Sequence, residues 1–111
     1  MSVYQTQNGL LKQAAVILSG TSATAIVTAT TTTGALTVEY IRCAEVAGST
    51  PTLTIDLYDG STAYKIRVKA MTAGEVYTDT APILLEPGWS LRVTAGSANQ
   101  IHATALYSLP R

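Results

Sequence analysis

Acid–base, nucleophilic or metal chemistry in this chain would have to come from few side chains: one histidine, one cysteine and seven carboxylates in 111 residues. His102 stands between Ile101 and Ala103 on an alternating stretch. The expectation there is a surface or interface residue rather than a ligand or general base. Cys43 lies in an apolar-rich run and reads as a small buried hydrophobe. With no second cysteine, an intrachain disulfide is excluded. Glu39, Glu45, Asp56, Glu75, Asp79 and Glu86 are scattered over separate segments, so spacing alone pairs none of them for acid–base work. Asp56 and Asp59 sit three apart and could suggest calcium. No third carboxylate is near, and turn chemistry accounts for Asp59 before Gly60. No nucleophile elbow, phosphate-cradling glycine loop or zinc spacing occurs. The expectation is a non-enzymatic protein with no catalytic, metal or cofactor-binding residues and no cofactor.

The remaining polar features suit contact rather than catalysis. Lys65, Arg67 and Lys69 alternate with Tyr64, Ile66 and Val68, which predicts a cationic stripe on one strand face and an apolar face buried beneath it. The plain reading of the stripe is protection of an exposed strand against edge-to-edge pairing. The functional reading is a contact face for an acidic partner. Ahead of the first credible strand, residues 1–13 are polar and glutamine-rich, with Tyr4, Gln5 and Gln7 as contact candidates. They read as an extended arm that frays in the isolated chain or lies across a neighbour. Trp89 is expected as a core anchor. The alternative, exposed with Tyr58, Tyr64 or Tyr77 at loop ends, would make a sugar-stacking platform.

Charge and size narrow the classes further. Charged residues make up 13% of the chain and the formal net charge is zero. An ordinary soluble domain carries about 25%. Low charge removes the repulsion that keeps proteins apart, and a Thr-, Ser-, Ala- and Gly-covered surface suits close packing against neighbours. Neutrality argues against nucleic-acid binding, which needs a basic field. No segment approaches the ~20 apolar residues of a membrane helix, and no signal peptide is visible. Synthesis and folding in the cytoplasm are expected.

Positioning falls to strands. A period-two polarity rhythm, broken by Gly, Pro and Asn turns, runs along most of the chain without a 3.6-residue pattern. Strands are expected at 13–19, 23–28, 36–43, 53–57, 64–69, 83–85, 89–93 and 101–107, with 76–79 a short strand or extended piece. Asp59-Gly60 predicts a hairpin joining Leu53–Leu57 to Tyr64–Lys69. The apolar phase slips after Tyr40, which predicts a β-bulge there. Ile55, Leu57, Ile66, Val68, Leu91 and Val93 are expected in the core. The fold class is all-β: a single antiparallel β-sandwich, jelly-roll-like, of about eight strands, with the arm at 1–13 and the sandwich at 14–111.

Two stretches carry a resemblance. Ile41-Arg42-Cys43-Ala44-Glu45-Val46 is similar to an "I-R-x-A/C-N-x-x-G" segment. Ala81-Pro82-Ile83-Leu84-Leu85-Glu86-Pro87-Gly88-Trp89-Ser90-Leu91-Arg92-Val93-Thr94-Ala95 is similar to "A-P-I-x-L-E-x-G-D-x-[IL]-R-V-T-A". Over about residues 35–108, including Ala103–Ser108, the chain resembles small β-sandwich virion structural proteins of tailed bacteriophages. Glu45 stands where Asn is common, and Trp89 where Asp is common. The resemblance implies a virion structural subunit, with a capsid decoration (cement) protein as the leading reading: a small homo-oligomer, partnered by the major capsid protein or another virion protein and located in the virion. A head–tail collar part, a tail or fibre accessory protein, and a carbohydrate- or receptor-binding module are the alternatives.

Overall fold

Threonine, valine and isoleucine favour extended backbone because branching at Cβ restricts χ1. In the computed structural model, which describes residues 11–30 and 34–109, these stretches form nine strands and no helix. The strands are β1 (Leu11–Ile17), β2 (Thr24–Thr28), β3 (Leu36–Glu45), β4 (Thr52–Tyr58), β5 (Ala63–Ala70), β6 (Val76–Asp79), β7 (Ile83–Leu85), β8 (Ser90–Ala95) and β9 (Ile101–Ser108). One antiparallel sheet runs β1-β9-β3-β6, with β7 pairing β3 alongside β6; the other runs β2-β8-β4-β5. Successive strands change sheet except within β4–β5 and β6–β7. With β6 and β7 counted as one interrupted strand, this is the two-Greek-key order of a jelly roll, as expected from the sequence.

The core lies between the sheets. Leu36, Val38, Ile41 and Cys43 of β3 and Ile101, Ala103 and Ala105 of β9 face Leu53 and Ile55 of β4 and Leu91 and Val93 of β8, all buried. Each fully buried Leu, Ile or Val contributes about 1.5–3 kcal/mol of transfer free energy. Cys43 is among them, and burial pushes its thiol up to about 12.

Several expectations are met in detail. The β4–β5 hairpin forms, with Leu57 opposite Tyr64 and Thr54 opposite Val68. Asp59 Oδ1 accepts the N–H groups of Ser61 and Thr62 at 2.9 and 2.7 Å, and Gly60 adopts φ +104°, which a side chain would resist. The phase slip in β3 is a register shift between Val38 and Tyr40, where Glu39 is the extra residue against β9. Two readings differ. β1 begins at Leu11, and Leu11, Lys12 and Gln13, placed in the arm by their polarity, pair with Ser108, Tyr107 and Leu106 of β9. The rest of the arm, with Tyr4, Gln5 and Gln7, lies outside the described residues.

The second difference concerns β5. Ile66 and Val68 are 41% and 58% exposed rather than buried. Directly paired residues share a sheet face. Arg67 is opposite Ile55 and Lys69 opposite Leu53, so these cations share the inward side of the sheet with core residues. β5 is the sheet's edge, and across from it the other sheet supplies polar partners instead of a core.

Candidate assembly surface

The hairpin's two strands are linked by an irregular ladder. Ile55 pairs with Arg67 but Asp56 pairs with Lys65, so Ile66 is an extra residue on β5. This bulge reverses the phase of β5. Lys65 shares the outward face with Asp56, whereas Arg67 and Lys69 lie inward. The cationic stripe expected from the alternation is therefore split. The structure brings two of its members together and separates the third.

Arg67 and Lys69 close the open side of the sandwich against β6. The Arg67 guanidinium lies 5.6 Å from the centre of the Tyr77 ring, whose hydroxyl donates to Asp79 Oδ2 at 3.2 Å. Lys69 Nζ is 3.1 Å from Glu75 Oε2. The Thr72 N–H, donating to Glu75 Oε1, and then Lys69 hold the Glu75 carboxyl below its ordinary range. Lys65 is exposed and forms no ion pair among the described residues. Outward, then, β5 offers Lys65, Ala70 and the exposed Val68, with Ile66 at the bulge.

The outer face of the β2-β8-β4-β5 sheet is otherwise closed on itself. Arg92 Nε donates to Asp56 Oδ1 at 2.8 Å, and the same guanidinium lies 4.0 Å from the Tyr58 ring centre. Thr28 and Ser90 join hydroxyls at 3.2 Å. The four rings considered for sugar stacking are each engaged. Tyr58 and Tyr77 lie under arginines, and Tyr64 stacks on Trp89 with centroids 6.0 Å apart. Trp89 packs against the core, in line with its expected anchoring role. Asp56 and Asp59, the carboxylates of the calcium reading, are committed to Arg92 and to the hairpin turn.

The outer face of the β1-β9-β3-β6 sheet is different. His102 is exposed there, opposite Ile17 on β1 and Ala44 on β3. Thr104 lies opposite Ala15 and Arg42, and Val76 opposite Ala44. Ile17, Val76 and Leu84 are each more than half exposed. Arg42 lies over the Tyr40 ring at 5.3 Å, and Glu39 Oε2 accepts the Ser108 hydroxyl at 2.8 Å. A shallow concavity of about 330 Å³ opens between β1 and β9, lined by Ala15, Val16, Ile17, His102, Ala103 and Thr104.

One polar residue escaped the sequence reading. Glu45 ends β3 on its inward face and is 4% exposed. Its carboxylate accepts the N–H groups of Ala47, Gly48 and Ser49, the Ser49 hydroxyl, and the N–H of Gly74 at 2.8 Å. These donors, Gly74 first and then Ser49, hold its pKa down at about 2. It ties the turn before β4 to the turn after β5. Its signal was a carboxylate in phase with Ile41 and Cys43, with a Gly-Ser turn three residues on. Among the described residues no three His, Cys, Asp or Glu side chains converge as metal ligands.

The sequence matches no family pattern and no curated protein. Its fold matches solved structures. A pentameric capsid protein isolated from metagenomic phage sequences aligns with 98% of this chain at TM-score 0.53 and 11% identity; the chain spans 64% of that protein's length. The capsid structure of Helicobacter pylori bacteriophage KHP30 contains a chain matched at TM-score 0.61 and 17% identity, over 91% of this chain and 87% of that one. The Drosophila NLP core, described for pentamer formation and histone binding, matches at TM-score 0.54 and 6% identity, over 90% and 97% of the two chains. At these identities the likeness is one of fold, which the chain shares with the two phage capsid chains and with the NLP core alike.

Proposed function

We propose that this chain is a non-enzymatic structural subunit of a bacteriophage virion, acting as a homo-oligomer. Within the particle it is a capsid decoration protein that clamps neighbouring major capsid subunits. The observation that carries the reading is the split character of its surface. Apart from Lys65 and His102, the polar groups described above are spent on holding the fold, while β5 and the outer face of the β1-β9-β3-β6 sheet leave large apolar side chains in solvent. Ile17 and Val76 end one row across the sheet through His102 and Ala44, and exposed apolar groups gathered in this way on a small domain mark a protein-binding site. Phage capsid proteins of the same fold, one of them pentameric, support a place in the virion. The engaged rings of Tyr58, Tyr64, Tyr77 and Trp89 speak against the sugar-platform alternative. Lys65 is the member of the stripe available for a partner, and Arg67 and Lys69 act on it through the position of β5.

The test is the location and copy number of the chain in purified particles, by cryo-electron microscopy and quantitative mass spectrometry. Copies on the scale of the major capsid protein support decoration. A single ring at one vertex makes it a collar or tail part, and absence from the particle overturns the virion reading.

A further inference from the structure

We infer that copies of this chain associate head to tail, with the outward row of β5 in one copy seated on the β1–β9 concavity of the next. The inference deepens the assembly reading above, on which it rests, by naming both halves of the contact. Val68 and Ile66 are exposed on β5; Ile17, 59% exposed, rims the concavity on the opposite sheet. The two surfaces belong to different sheets, so a copy cannot satisfy one with the other. On the outer face Ala15 and Thr104, directly paired, present short side chains beside Ile17, which leave room for a branched aliphatic group. Backbone pairing of two β5 edges is opposed by the bulge at Ile66 and by Lys65, the devices that blunt strand edges. Side-chain docking is what this edge permits.

Charge supports the same occupant. Lys65 has no ion-pair partner among the described residues. Glu39, joined to Ser108 at the far end of β9 from His102, is the carboxylate beside this face, and the face's own cation, Arg42, is turned over Tyr40. At about 3.3 Å per residue, Lys65 lies roughly 10 Å from Val68, and Ser108 roughly 13 Å from Thr104. With β5 laid so that its Lys65 end points toward Ser108, Val68 over the concavity brings Lys65 toward Glu39 of the next copy. A contact between unlike surfaces propagates around a ring when the rotation closes.

Light scattering on the purified full chain tests this with one variant on each surface. Wild type is expected as a closed oligomer, and Val68→Glu and Ile17→Glu each as folded monomers by circular dichroism. Each variant keeps one intact half, so an equal mixture is expected to give a one-to-one dimer and nothing larger. A wild-type monomer, an Ile17→Glu chain that still assembles, or a mixture that stays monomeric overturns the inference. Should either variant fail to fold, Lys65→Glu and Glu39→Lys provide the second route. Each alone is expected to weaken assembly and the two together in one chain to restore it; a double variant as weak as the singles overturns the pairing. Particle occupancy is read separately. A ring absent from virions removes the virion role and leaves this interface standing, whereas a monomer that coats heads does the reverse.

Discussion

β4 and β5 are neighbours in one hairpin, and both alternate apolar with polar residues, yet one is core and the other surface. On β4, Leu53 and Ile55 are buried between the sheets. On β5, every residue from Ala63 to Val68 is exposed. The difference is what lies on either side. β4 is flanked by β8 and β5 and faces the apolar side of β3 and β9. β5 has β4 on one side only, and its inward residues meet Glu75 and Tyr77. Alternation says that a strand has two unlike faces; the element across the sandwich decides which is covered.

The largest expected effect separates the two strands by stability. Ile55→Ala should cost about 2–5 kcal/mol in denaturant unfolding, as for other buried aliphatic truncations. Ile66→Ala should cost under about 1 kcal/mol, typical of surface positions. Equal costs would mean that β5 has a covered face in the single chain. Next, Asp56→Ala should cost about 1–3 kcal/mol, because it leaves the half-buried Arg92 without its carboxylate. Its cross-strand neighbour on β5, Lys65→Ala, should leave unfolding unchanged and alter only assembly.

Acid sharpens the comparison at the hairpin's root. The Glu45 pKa is about 2 in the folded chain against an ordinary 4.5. A depressed carboxylate stabilises the fold above its unfolded pKa, and that contribution is lost as pH falls from about 4.5 toward 2. Amide protection, measured against the intrinsic exchange rate at each pH, should fall by pH 3 at the turns flanking β4 and β5, and Glu45→Gln should show the same loss of protection already at pH 7. A variant with unchanged exchange at neutral pH would mean that other contacts hold the two turns. A small but measurable effect is expected for Arg67→Ala. Loss of its contact with Tyr77 should cost about 0.5–1 kcal/mol, read as a lowered denaturation midpoint.

Much of the fold was legible because its signals were local. Asp59-Gly60 announced its turn, and the slip after Tyr40 announced its bulge because the apolar phase visibly changed. The bulge at Ile66 left no such trace. Tyr64 to Lys69 alternate without a break, and the extra residue appears only when β5 is laid against β4. Glu45 was hidden for a related reason. One of its donors, Gly74, lies 29 residues away, and its burial depends on the connection that carries the chain from β5 across to β6. The polar Lys12 and Gln13 concealed the start of β1, since an edge strand needs little apolar content once β9 supplies its hydrogen bonds.

Cys43 gives the chain a built-in clock. A thiol at about 12 in the middle of β3 is protonated and shielded at neutral pH, so a disulfide reagent finds it only when the sheets part. The rate of its labelling therefore counts excursions to the open state. Followed in free subunits and in intact particles, one sulfur atom would report how much the lattice slows the breathing of each copy, without any engineered probe.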